Sequence, residues 1–113
     1  MSLVARYLEE AGLPTVIVGS ARDVVEHCGV PRFVFTDNVA WDKESTHTRD
    51  RGSYLPVEVA AELAAQGRFA GLTRRFHGVP TEYSQRKTLD EDAPEVLRRL
   101  RQDGADGAIL SAL

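Results

Sequence analysis

The chain has one cysteine, one methionine and one tryptophan among its 113 residues. A lone Cys28 excludes an internal disulfide framework and any paired-cysteine metal or redox motif. Long apolar runs are missing too; the longest are strand-sized, too short to cross a bilayer, so no membrane span is expected. The opening MSLVARYLEE lacks the basic region and apolar core of a secretory signal. Nor is there an excess of positive charge. Lys and Arg number 14 against 17 Asp and Glu, for a net charge of −3, which leaves no broad basic face for nucleic acid. His27, His47 and His77 stand apart without HxxxH spacing, so no metal site is expected, and nothing implies a cofactor. What is left is the composition of a soluble, cytoplasmic globule, 42% hydrophobic and 27% charged, in a single domain spanning 1–113.

The apolar pattern is most organised between residues 13 and 35, LPTVIVGSARDVVEHCGVPRFVF. Thr15 to Val18 is an unbroken β-branched run, the mark of a strand buried on both faces. Gly19 breaks it, Ser20 offers a helix cap, and Asp23 stands in capping-box position. The helix over 21–28 stops at Gly29, and Phe33-Val34-Phe35 follows as a second strand. Such a βαβ unit places its strands parallel. Upstream, Leu3, Val4, Tyr7, Leu8 and Ala11 recur at helical spacing, predicting a helix over 2–11 with Gly12 as its C′ residue.

Downstream, residues 38–53 are polar and irregular. They predict a long connecting loop, anchored by Trp41, of a length that is usually functional or a linker. Pro56 opens a third helix whose buried side is Val57, Val59, Ala60, Leu63 and Ala64. Residues 68–79 suggest an edge strand or extended segment, and 80–87 a polar loop. Asp92, with Glu95 three residues later and Pro94 in the first turn, predicts the start of a fourth helix. Its stripe is Ala93, Val96, Leu97 and Leu100; Arg98, Arg99 and Arg101 suit its C-terminal dipole, and Gly104 ends it. Ala108-Ile109-Leu110 reads as another buried strand. The order predicts an α/β protein, a three-layer α/β/α sandwich with a small, mainly parallel sheet of flavodoxin-like or Rossmann-like kind.

Candidate ligand residues fall at the carboxyl ends of the strands, where open α/β sheets bind. Ser20 and Arg22 follow the first strand in a turn whose amides can receive an anion. Thr36 and Asp37 follow the second, and Ser111 closes the third. Convergence there is a property of the topology, so the signal is positional rather than chemical. His77, in RRFHG with Arg74 and Arg75 before it, marks a cluster able to hold a carboxylate; a solvated arginine edge is the plainer alternative. Cys28 sits at the C-terminal end of its helix, the wrong end to stabilise a thiolate, and reads as a structural thiol. The acidic run Asp90, Glu91, Asp92 and Glu95 is explained by dipole compensation.

Two long segments carry a resemblance. SLVARYLEEAGLPTVIVGSARDVVEHCGVPRFVFTD and YLPVEVAAELAAQGRFAGLTRRFHGVPTEYSQRKTLDEDAPEVLRRLRQDGADGAIL are similar to parts of the glycine/sarcosine/betaine/D-proline reductase selenoprotein B family. In that family the two occur in the opposite order, joined by a short loop that bears the redox cysteine or selenocysteine. The resemblance implies a circular permutant cut at the redox loop, natural or engineered, with 38–53 as the new connection and the two chain ends close together. It also implies reductive carbon–heteroatom cleavage as the ancestral chemistry. No cysteine stands near Ser2 or Leu113, so no catalytic residue carries over. The expectations are a reductase-like domain inactive as it stands, a non-catalytic scaffold or interaction module for a partner subunit, or a flavodoxin-like binder of a small anionic ligand.

Overall fold

The computed structural model describes residues 2–19, 26–29, 32–35, 57–79 and 84–111. The Ser20 cap, Asp23, the loop 38–53 with Trp41, Pro56 and the far chain end lie outside them.

Helix α1 (Ser2–Glu10) forms on a stripe of Val4, Ala5 and Leu8, all with no exposed surface. It ends where expected. Gly12 takes a left-handed φ of +83°, which a side chain would resist. Its N–H donates to the Glu9 carbonyl at 3.0 Å, and the Leu13 N–H to that of Leu8 at 2.9 Å. This paired closure satisfies two orphan carbonyls and packs Leu13 beside Leu8. The turn sends the chain back as β1 (Thr15–Gly19), the centre of a three-stranded sheet in the order β2–β1–β3.

Strands β2 (Phe33–Phe35) and β3 (Ala108–Ser111) both pair with β1 in parallel, as the sequence predicts. Ile17 lies opposite Phe33 on one side and Leu110 on the other; Val16 faces Ile109. Burial of the sheet is one-sided. Thr15 and Ile17 are 1% exposed, whereas Val16 and Val18 are only half-buried. Ile109, expected in a buried strand, is 55% exposed. It sits on an outer strand among the three described and shares the face of Val16, while Ala108 and Leu110 turn to the core.

The last helix begins earlier than the capping-box pattern predicts. Ser84, in extended conformation, is the true N-cap; its hydroxyl accepts from the Lys87 N–H at 3.3 Å. From there α3 (Gln85–Lys87), a π-helical turn (Thr88–Asp92) and α4 (Ala93–Gln102) run on with helical dihedrals at each junction. Residues 84–87 are therefore not loop, and Asp92 is a helix-interior residue without a side-chain capping bond. Pro94 explains both the misreading and the geometry. A proline inside an α-helix clashes with the carbonyl four residues back, here that of Asp90. Widening the preceding turn, so that the Ala93 N–H reaches Thr88, gives that carbonyl room.

Beyond Pro94 the expected stripe is present. Ala93, Val96 and Leu97 are buried and join Val4, Leu8 and Leu13, with Tyr7, Ala11, Leu100, Ala108 and Leu110 around them. Helices α1 and α4 thus cover one face of the sheet together. Arg101 donates to the Ala11 carbonyl at 3.1 Å, so one helix supplies a cation to the C-terminus of the other.

Helix α2 (Val57–Ala65) forms where predicted but buries none of its residues. Val57, Ala60 and Ala64 are half-buried, whereas Val59 and Leu63 face solvent. Residues 68–79 hold no regular element, and no strand pairing forms there.

One carboxylate fastens the start of the sheet. Glu9 accepts from the Thr15 N–H at 2.7 Å and from Arg32, just before β2. The Arg32 bond first, then the Thr15 N–H, holds the Glu9 carboxyl below its ordinary range. Thr15, a buried polar residue of the core, has its hydroxyl satisfied by the Leu13 carbonyl at 2.9 Å.

Candidate functional site

The cluster singled out in RRFHG is real, and it is occupied from within. Arg75 and His77 both reach one carboxylate, that of Asp103 at the C-cap of α4. Arg75 binds it with two nitrogens, Nε at 2.8 Å and Nη2 at 2.5 Å from Oδ1; His77 Nε2 lies 3.1 Å from Oδ2. The side chains of His77 and Asp103 are 11% and 13% exposed, that of Arg75 52%.

An acid at a helix C-terminus opposes the dipole, and the two basic side chains offset that penalty. The Arg75 hydrogen bonds, and after them that of His77, hold the Asp103 carboxyl below its ordinary range; Arg75 is raised in return. Asp103 belongs to no motif in the sequence. Its signal was an acid placed where the helix dipole asks for a cation, in a chain offering Arg-x-His with no other duty.

Beside this triad lies a shallow cleft of about 100 Å³, lined by His77, Gly78, Asp92, Glu95, Val96 and Arg99. Most of its charge is spoken for. Arg98 grips Glu95 with two bonds of 2.7 Å and Arg99 adds a third at 2.7 Å. The Arg98 and Arg99 bonds lower the Glu95 carboxyl to about 2. Among the described residues no group of three His, Cys, Asp or Glu side chains is placed to hold a metal ion.

Of the rim residues, Ser111 is half-buried at the end of β3, opposite Val18. Gly19 lies opposite Phe35 one step further, so the three strands end nearly level. Ser20, Arg22, Thr36 and Asp37 lie outside the described residues. His77 does not belong to that rim. Asp103 precedes β3 and stands toward its amino end, whereas Ser111 marks its carboxyl end. Of the expected set, His77 and Ser111 therefore lie toward opposite ends of β3. Cys28 is half-buried, in the turn closing a helical segment that includes Glu26 and His27.

No protein-family model matches this chain, and neither a curated protein nor a solved structure matches it.

Proposed function

We propose that this chain is a non-catalytic α/β module of the reductase B-component type, acting by contact rather than by turnover. The observation that carries the reading is the occupancy of the Arg75 and His77 cluster. The groups best suited to grip a substrate carboxylate already grip Asp103. Cys28 supports it from the other direction, since the C-terminal end of a helix disfavours a thiolate. The same reading takes the fold as a three-layer, flavodoxin-like sandwich in a cytoplasmic protein. One layer is α1 with α4; a second helical layer would lie over the half-buried Val16 and Val18 on the opposite face.

Titration with glycine, betaine and D-proline, followed by amide and imidazole NMR shifts, tests the proposal. No saturable shift at His77, and no thiol-dependent reduction of these compounds, is the expected result. Saturable binding that Arg75→Ala removes, or turnover that Cys28→Ser removes, would sink it. A second reading, a small anion at the strand ends, rests on the level finish of β1, β2 and β3. Inorganic phosphate that shifts the Ser111 amide saturably would favour it, with Ser20, Arg22, Thr36 and Asp37 as the further ligands.

A further inference from the structure

Two exposed stripes on this molecule are complementary in both apolar character and charge. On α2, Val59 and Leu63 are one turn apart and 55% and 38% exposed. Glu62 stands beside them, exposed and in none of the ion pairs found among the described residues. On the segment that follows, Leu72 and Phe76 are 40% and 55% exposed. Between them Arg74 is exposed and equally outside those pairs, while its neighbour Arg75 is committed to Asp103. Both stripes remain open to solvent, so they do not cover each other within one chain.

We propose that the two stripes are the halves of a self-complementary dimer interface, α2 of one copy lying on residues 72–76 of a second copy. Neither stripe suits itself. Two copies of α2 would bring Glu62 against Glu62, and two of the segment would bring Arg74 against Arg74, juxtapositions that cost affinity. Crossed, each apolar pair meets an apolar pair and each carboxylate a guanidinium. A two-fold axis makes this contact twice with no open end, as closed dimers do.

Sedimentation equilibrium of the full chain, at several concentrations and ionic strengths, tests this. A reversible dimer is expected, weakened by salt. Glu62→Arg alone or Arg74→Glu alone should each weaken it by about tenfold or more. An equimolar mixture of the two variants restores both crossed pairs, so the mixed dimer should form where neither variant dimerises alone. Phe76→Asp should abolish association while circular dichroism and the melt stay those of the parent. A chain that stays monomeric at millimolar concentration overturns the proposal and leaves the stripes to a different partner. So does a dimer indifferent to the single charge changes, or one that the mixture fails to restore.

Discussion

Helices α2 and α4 invert what composition alone suggests. α2, VEVAAELAA, is made mostly of alanine and valine and buries no residue. α4, APEVLRRLRQ, carries three arginines and buries Ala93, Val96 and Leu97. The difference is arrangement. In α4 the apolar groups fall at i, i+3 and i+4 and make one stripe, with the charges pairing on the other side through Glu95. In α2 small apolar side chains surround the helix and leave no single face that gains most from burial. Apolar content sets how much surface there is to hide, and periodicity decides whether it can be hidden at once.

Mutations should separate the two regions by size of effect. The largest belongs to Ile17, 1% exposed at the centre of the sheet. Ile17→Asp places an unpaired charge there and should abolish the cooperative thermal transition; a melt like the parent's would show that the strand is not where we place it. Leu8→Ala, beneath α4, should cost roughly 2–5 kcal/mol in urea unfolding. The formally similar Leu63→Ala on α2 should cost within about 0.5 kcal/mol at concentrations where the chain is monomeric. Equal losses at the two positions would erase the distinction between the regions.

Between these extremes stand the carboxylates. Glu9, Glu95 and Asp103 all have depressed values in the folded protein, Glu95 from 4.5 to about 2. The folded state therefore binds fewer protons than the unfolded one. Their stabilisation is complete above the unfolded carboxylate range and is lost as pH falls from about 4.5 toward 2. Thermal melts across that window should show the decline. Glu9→Ala should lower the melting temperature at neutral pH more than Glu95→Ala, because Glu9 also satisfies the backbone N–H of the buried Thr15. The Glu95 pairs are half-exposed and lie within one helix, where such pairs contribute little. Asp103→Asn should reduce the acid sensitivity and loosen 68–79, read as faster amide exchange around His77.

How much of this was legible in the chain follows the same physics. The helix over 2–11, the C′ glycines at 12 and 104, the three parallel strands and the stripe of α4 are written in periods and stop residues, and those signals are local. The exposure of Ile109, Val59 and Leu63 depends on which strand takes the edge and which helix is covered, a global outcome that no local pattern encodes. The start at Ser84 was hidden by Pro94, whose usual place is a first turn. At the candidate site, Arg75 and His77 stood out as a cluster. Their partner Asp103, 28 residues from Arg75, did not. A charge becomes legible only when its local setting is unfavourable, and the cost of an acid at a helix end was the available hint.

The strand order has a consequence for chirality. Travelling from β1 to β2 and travelling from β2 across β1 to β3 are moves in opposite directions along the sheet. Crossovers of the usual right hand that move in opposite directions pass over opposite faces. α4, on the second of these paths, shares its face with α1. Closing the circle from β3 through α1 into β1 would move in the first direction over the same face, so that passage and the one from β2 to β3 are of opposite hand. A right-handed β2-to-β3 passage and a right-handed closure of 113 to 2 thus make opposite demands on this sheet. A variant with 113 joined to 2 and the chain reopened within 38–53 would reveal which demand it obeys.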